Sequence, residues 1–524
     1  MNLSRRAWLA SAALPLLGCE PAAPPLSGGF TGTSPERGHL LRSPSSNVVS
    51  RTQRTRVLIA GGGVAGLAAA RALRQRGIED FAVLELEDQA GGNSRATQLE
   101  GLPCPLGAHY LPVPTDAGHE VQDLLEELGL RRRIAGRWQY DERHLCHSPQ
   151  ERLYLRGQWQ DGLLPMQNVP AGTLAQYRRF ATRVAQLQRA APFALPTQRA
   201  AFGPVHAALD AQTMAQWLAA EGLDDAHLRW YLDYCCRDDF GAGLTTVSAW
   251  AGIHYFASRH GFHAPGDEAA EREGVLTWPE GNGWITQRLA QPLGERLHCA
   301  RVIHRIATHR HGVTVQALDT ASSTLEQWEA QHCIVALPVF VAAHVVADAP
   351  GFLRDAAAAL RYAPWLVANV HLRAALHDRD GAAPSWDNVV YGSRGLGYVD
   401  AGHQSLEQRA HGSPRVLTWY HALGDVPEAR NALLHQPWQH WAELLFDELR
   451  EAHPDLRAKA TRIAITRYGH AMAMPVPGLM RSLHKARATT PQAGPLLFAH
   501  ADWSGYSVFE EAFTRGHLAA QKIG

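Results

Sequence analysis

The sequence predicts an α/β protein in which a doubly wound, dinucleotide-type domain is interleaved with a second domain of mixed α+β character. Three observations predict it. A buried-strand pattern runs straight into a glycine-rich turn and an alanine-rich helix over residues 56–74. The 524-residue length is about twice that at which single hydrophobic cores stop growing. Residues 116–270 and 345–460 carry long helical patterns but no nucleotide-type motif. Composition agrees: 46% hydrophobic and 19% charged residues exclude a largely disordered chain. Fifty basic residues balance fifty acidic ones. The net charge of zero excludes the basic excess that a phosphate backbone demands, so no nucleic-acid partner is expected.

In chain order, residues 1–19 read as an address. Arg5-Arg6 precede an apolar run ending at Leu17, then Gly18-Cys19. The run is roughly eleven residues, against about 20 for a membrane-spanning helix. It resembles a twin-arginine export signal joined to a bacterial lipobox, with Cys19 as the acylated mature N-terminus. That implies a periplasmic lipoprotein, exported folded with a cofactor already bound, whose only membrane contact is the lipidated N-terminus. Residues 20–54, rich in Pro, Gly and Ser at the start, read as a flexible linker. The seven cysteines are too few and scattered for a disulfide scaffold.

The nucleotide motif follows. Residues 56–60 have the length of a buried parallel strand. Gly61-Gly62-Gly63-Val64-Ala65-Gly66 comes next and then a strong helix former, Leu67–Arg74. Gly61, Gly63 and Gly66 fit G-x-G-x-x-G, with the helix N-terminus offering N–H groups to a pyrophosphate. A second strand, Phe81–Leu84, ends at Glu85, where a carboxylate can accept from ribose hydroxyls. This arrangement predicts an NAD(P)-like dinucleotide fold.

Further motifs decide between cofactors. Gly91-Gly92 after Glu85, Leu106-Gly107-Ala108-His109-Tyr110, Pro279–Trp284, Arg301–Ile306, Ile334–Pro338, Leu497–Ala499 and Phe509–His517 occur in a defined order. Together they resemble the flavin-containing amine oxidase superfamily, which includes protoporphyrinogen oxidases and carotenoid desaturases. The resemblance spans residues 55–524. It implies FAD as cofactor, an amine-oxidase-like two-domain fold, and cofactor contacts from Gly61, Gly63, Val64, Ala65, Gly66, Glu85, Gly91, Gly92, Asn93, Gly107, Ala108, Val302 and Phe509. It also implies the division: 55–115, 271–344 and 461–524 for the FAD domain, 116–270 and 345–460 for the substrate domain.

The sequence departs from the family where chemistry is concerned. Asn93 stands where many members have arginine after the glycine pair, with Arg95 two positions on. The ribityl-contacting glutamate is missing, and Asp502 is the nearest substitute. Asn369 occupies the strand position where amine oxidases hold a lysine near flavin N5; the lysines Lys459, Lys485 and Lys522 lie elsewhere. Tyr468 is expected as one wall of a substrate cage, and His470 as a base or hydrogen-bond donor near N5. His500, where the family has glycine, is a further candidate.

In the substrate half, Tyr231–Gly241 packs acids among aromatics. It reads either as a cation-recognition wall or as a helix end with capping aspartates before Gly241. Trp250 and His254 stand at i, i+4 and could line a pocket or pack in the core. Trp386-Asp387-Asn388 and Thr418–His421 are weaker candidates of the same kind. His144-Leu145-Cys146-His147 has no second cluster at zinc-like spacing, so no metal is expected. The expected activity is hydride removal from an amine or polyamine onto flavin N5, with electrons passing to O₂ or another acceptor. The alternatives are a desaturase or dehydrogenase of an apolar substrate, and a non-catalytic FAD-binding envelope lipoprotein.

Overall fold

The computed structural model describes residues 26–42, 48–146, 149–266, 274–403, 405, 412–491 and 493–524. The leader and Cys19 therefore lie outside the described residues, as does His147. Among the described residues, two large sheets dominate. The first joins Leu297–His298, Phe81–Leu84, Val49–Ala60, Thr324–Val335 and Leu496–Phe498 in parallel, with Gly312–Asp319 and Arg301–His309 continuing antiparallel. Val57, Leu58, Ile59 and Ala60 are all fully buried. That is why this strand reads as an unbroken apolar run rather than an alternating one.

The helix Val64–Gln75 follows at once. Its alanine-rich sequence favours a helix and lets neighbours approach closely. Gly61 sits at φ +103°, where a side chain would be strained, and a Cβ at Gly66 would lie 1.9 Å from the Gly61 carbonyl oxygen. The C-terminal helix Phe509–Gln521 crosses this helix just as tightly: a Cβ on Gly516 would fall 1.9 Å from the Ala65 oxygen. The two glycine contacts lock both helices onto the end of the sheet.

The second sheet runs in the order Ser27–Phe30, Ala460–Ala473, Tyr362–Leu372, Arg415–Ala422, Tyr398–Asp400, Asp387–Val390, Glu151–Leu155, Gln158–Asp161. A helical layer built on Ala171–Ala190, Ala226–Phe240 and Ala249–Ala257 packs Tyr177, Phe180, Phe240 and Trp250 into one core with this sheet. The long helical patterns of 116–270 and 345–460 include the helices His119–Glu127, Ala171–Ala190 and Trp438–Leu449.

Two expectations need correction. The strand Ala460–Ala473, assigned by motif order to the nucleotide half, pairs along Tyr362–Leu372 and belongs to the second sheet. Its alternating pattern fits one buried face, and pairing, which motif order does not encode, decides the sheet. Residues 27–30, placed in a flexible linker, form an edge strand parallel to 462–465. Linker composition lost there to a free strand edge with unpaired backbone groups to satisfy.

Gly516→Ala should cost about 1–3 kcal/mol through overpacking against Ala65. A fall in Tm is the expected outcome of thermal unfolding. An unchanged Tm would show that the two helices have room to separate.

Candidate active site

Three neighbouring parallel strands end together in a crevice: Phe81–Leu84, Val49–Ala60 and Thr324–Val335. Such a crevice, at the carboxyl ends of strands, is where open α/β sheets hold ligands. The glycine loop leaves the middle strand. Its Gly61 N donates to Leu84 O at 2.9 Å, and Gly91 N returns to Gly62 O at 2.8 Å. Gly63 and Gly92 face one another with no side chain between; a Cβ on Gly63 would have Gly92 Cα as its nearest neighbour, at 3.9 Å. Gly91 and Gly92 both have positive φ, so the pair makes a turn that other residues would strain.

Glu85 closes one side of the crevice. Its carboxylate accepts from Gly62 N (2.7 Å) and Glu87 N (2.9 Å). Burial pushes the carboxyl above its usual range, and these two backbone donors pull it back. Val302 is buried in the adjoining strand, and its neighbour Arg301 donates its N–H to Glu85 O. Arg95 binds Gly92 O at 2.9 Å, so it stiffens the glycine pair from within. Asn93 points the other way, donating to Ala471 O at 2.8 Å.

The segment after this turn is gripped from two sides. Leu106 N and Ala108 N donate to Arg95 O and Asn93 O, both at 2.9 Å. Its carbonyls face the second sheet. Asn369 Nδ2 donates to Pro105 O (2.8 Å), Tyr468 OH to Leu106 O (2.9 Å) and Tyr420 OH to Gly107 O (3.0 Å). Asn369 is fully buried, and its Oδ1 accepts from Thr418 Oγ1 at 2.7 Å. These bonds make Asn369 and Tyr468 positioning groups for the 105–107 segment. Burial also raises the Tyr468 hydroxyl to about 12.

The other expected residues make contacts of their own. His470 packs against Phe340, with ring centroids 4.6 Å apart, and lies near Tyr362. Asp502 is spent within the protein, accepting from Val339 N (2.8 Å) and Tyr362 OH (2.6 Å). His500 lies beside it, with Nδ1 3.1 Å from both the backbone N and Oδ1 of Asp502. Trp250 and His254 meet edge-on at 4.6 Å, with His254 also against Tyr506, and both are buried in the helical core. Phe509 opens the C-terminal helix and stacks on Phe513. His144 packs at a tilt against Trp284, and no metal-binding group of His, Cys, Asp or Glu occurs among the described residues.

Beyond Ala108 lies an aromatic box. His109 packs on Tyr420 (4.3 Å), Tyr110 (5.0 Å) and Trp386 (5.4 Å). Burial drives the His109 imidazole down to about 3, so it stays neutral. Next to Trp386 is Asp387, in parallel register with Glu151. Burial and Glu151 hold Asp387 well above the carboxylate range, against the Tyr234 hydroxyl beside it. Asp238 belongs to the same group, raised to about 7 by burial and by Asp239. Of the three acids in Tyr231–Gly241, Asp233 pairs with Arg237 and Asp239 with Arg259 and Tyr506. Asp238 makes no hydrogen bond or ion pair among the described residues. Sequence reading singled out this segment but missed Glu151, which only the parallel pairing of two distant strands brings in.

Residues 64–524 match the family of flavin containing amine oxidoreductases. The chain belongs to this family. It is 28% identical over 288 residues to a protein of Mycobacterium tuberculosis (strain ATCC 25618 / H37Rv) named a flavin-containing monoamine oxidase, AofH, covering 54% of this chain and 56% of that one. The match thus spans about half the length of that relative. Over 76 residues, 14% of each chain, it is 42% identical to protoporphyrinogen oxidase 2 of Arabidopsis thaliana. Its fold is that of a putrescine oxidase bound to putrescine (TM-score 0.66, 17% identity, 90% of this chain and 99% of that one). A cyclohexylamine oxidase from Brevibacterium oxydans shares it too (TM-score 0.64, 18% identity, 90% and 98%).

The cofactor is FAD, and the residues present fit it. The glycine loop and the facing Gly63–Gly92 pair leave the cradle a diphosphate needs. Glu85 retains lone pairs for ribose hydroxyls, and the helix at Val64 presents its N-terminus. Glu85→Ala should weaken FAD retention about tenfold or more, because charge-assisted bonds are worth about 1.5–3 kcal/mol. Flavin absorbance remaining after dialysis measures it, and full retention would remove Glu85 from the cofactor site.

Proposed function

We propose that the protein is an FAD-dependent amine oxidase whose substrate carries a second positive charge, as a diamine or polyamine does. The observation that carries this is Asp238. It lies in the last turn of a helix, where the dipole already disfavours negative charge. It stands with Asp387 and Glu151 behind the box of His109, Tyr110, Trp386 and Tyr420. The charges facing it are Asp239 and Arg237 on its own helix, Arg259 after the next helix, and Glu151 on the strand. Both arginines are bound to other aspartates. A ligand ammonium would relieve this excess of negative charge, and the neutral His109 does not repel it.

Bound FAD supplies a hydride acceptor at its N5. The chain's own part is to hold the substrate chain among neutral aromatic faces, to anchor its far ammonium at the acids, and to exclude water. Asn369 and Tyr468 set the position of the 105–107 wall along which the substrate lies. A second reading, oxidation or rearrangement of an apolar substrate, draws on the amide at Asn369 where amine oxidases carry lysine. It also draws on a structural neighbour described as a fatty acid isomerase from P. acnes (TM-score 0.59, 14% identity, 88% of this chain and 97% of that one). A shared fold leaves the substrate open.

Anaerobic mixing with diamines, monoamines and unsaturated fatty acids separates the readings. Flavin bleaching by diamines alone is expected; bleaching by none of the amines overturns the proposal. The pH dependence is a second check. Below its raised pKa Asp238 is protonated and cannot hold a cation, so KM for a diamine should fall about tenfold between about pH 6 and about pH 8. Asp238→Asn should raise KM at the higher pH and flatten this profile, with a smaller effect on monoamines.

We also propose that the chain is exported by the twin-arginine route and anchored through an acylated Cys19, as the Arg5-Arg6 and Leu16–Cys19 patterns suggest. Cys19→Ser should then move the protein from the membrane fraction to the soluble periplasmic fraction. An unchanged distribution would overturn the anchor.

A further inference from the structure

The segment read as a linker has a defined course across the cofactor crevice. Ser27–Phe30 pairs with the second sheet, and Thr31 N extends the ladder to Ile465 O at 2.9 Å. Arg467 covers the Phe30 ring at 3.7 Å. At Gly32, with φ +82°, the chain turns so close to Leu106 and Thr466 that a Cβ would come within 3.1 Å of both. Thr33 Oγ1 then donates to Arg467 O at 2.9 Å.

From there the arm meets both lips of the crevice. Ser34 caps the short helix Pro35–His39 through Arg37 N, while its own N–H donates to Glu87 Oε1 at 3.2 Å. Arg37 donates to Leu86 O (3.0 Å) and Asp88 Oδ1 (2.9 Å). Residues 86–88 follow Glu85 directly, at the end of one strand flanking the glycine loop. The arm continues to Leu41, whose carbonyl accepts from His344 Nε2 at 2.9 Å. His344 lies on the helix Val339–Val345, which follows the strand flanking the loop on its other side. His39 and Arg42 come within electrostatic reach of His470.

We propose that residues 26–42 form the outer wall of the FAD site, an arm that bridges the two lips of the crevice and slows cofactor release. The two ends of the arm are fixed by unlike interactions. A strand pairing holds the start, and Arg37 with the Leu41 carbonyl holds the far end. FAD departs through the mouth only when one of these gives way. The inference concerns retention of the cofactor and is independent of which substrate is oxidised.

Two variants of the full chain test it. Arg37→Ala removes the side-chain bonds to Leu86 and Asp88 from a half-buried position. Gly28→Val dislodges the start, because a Cβ there already lies 2.5 Å from Ile463 and 2.7 Å from Trp438. The readout is the rate at which free-FAD fluorescence rises after dilution of the holoenzyme, with Tm at saturating FAD measured alongside. Arg37→Ala should release FAD about tenfold faster, the loss of one or two charge-assisted bonds, while its Tm at saturating FAD stays within about 2 °C of the parent; Gly28→Val should release FAD faster as well. The parent's release rate should also rise toward that of Arg37→Ala as salt screens the parent's own ion pair. Unchanged release in both variants overturns the proposal. So does faster release from Arg37→Ala accompanied by an equal fall in Tm, which would make the arm a support of the fold alone.

Discussion

Three successive carbonyls, those of Pro105, Leu106 and Gly107, are each met by a side chain from a different strand of the second sheet. Asn369, Tyr468 and Tyr420 lie on three neighbouring strands, and their donors converge on one stretch of buried backbone. The N–H groups of that stretch go the opposite way, to the turn at Asn93–Arg95. Buried backbone polar groups must be paired, and this segment divides its pairing between two domains. The relative placement of crevice and substrate wall therefore rests on it. Losing one of these donors would leave a carbonyl unsatisfied, at about 1–3 kcal/mol, and would also free the segment to shift toward the cofactor.

This constraint explains the amide at position 369. An asparagine donates to Pro105 O and accepts from Thr418 with one short, rigid group. A lysine offers donors alone and could not satisfy Thr418. The residue at this strand position is tied to holding two domains together, and the charge that amine oxidases place there is absent. In the proposed reading the substrate's charge is met instead by the acids behind the aromatic box. Overall neutrality of the chain conceals this cluster: fifty charges of each sign cancel in the sum, while Asp238, Asp387 and Glu151 stand together.

The elements legible in the sequence were those whose partners are close in the chain. The glycine loop, its strand and helix, and Glu85 lie within one βαβ unit, so their spacing carries the geometry. The helix end at Gly241 was equally local, since a glycine at positive φ marks it; the capping aspartate is Asp225 at the start of the helix, not the pair before Gly241. Functional roles on the strands were not legible. Tyr468 and His470 are two residues apart on one strand, yet Tyr468 binds the 106 carbonyl and His470 packs on Phe340 at a separate place. The pairing is irregular just there, with Tyr468 opposite Trp365 but Met472 opposite Ala363, and such an irregularity is set by partners far away in sequence. Glu151 was invisible for the same reason. The segment 27–42 was misread because its composition suits a tether, while what orders it is an unpaired sheet edge and two acidic residues beyond Glu85.

Among the described residues, those that border the aromatic box offer no strong base. Burial holds His109 neutral, and the tyrosines that border it have hydroxyls raised by burial and bound to carbonyls. An amine that is to lose a hydride must have an unprotonated nitrogen at the reacting carbon. In the proposed reading the two nitrogens of a diamine meet opposite surroundings. The one among neutral aromatic faces is desolvated, which favours its uncharged form. The one at the acids is stabilised as a cation. The gradient from apolar box to acidic wall can thus sort the protons of a single substrate without a catalytic side chain, provided that the 105–107 wall keeps the two environments apart. Specificity and activation then come from one geometry, the distance between the box and the acids.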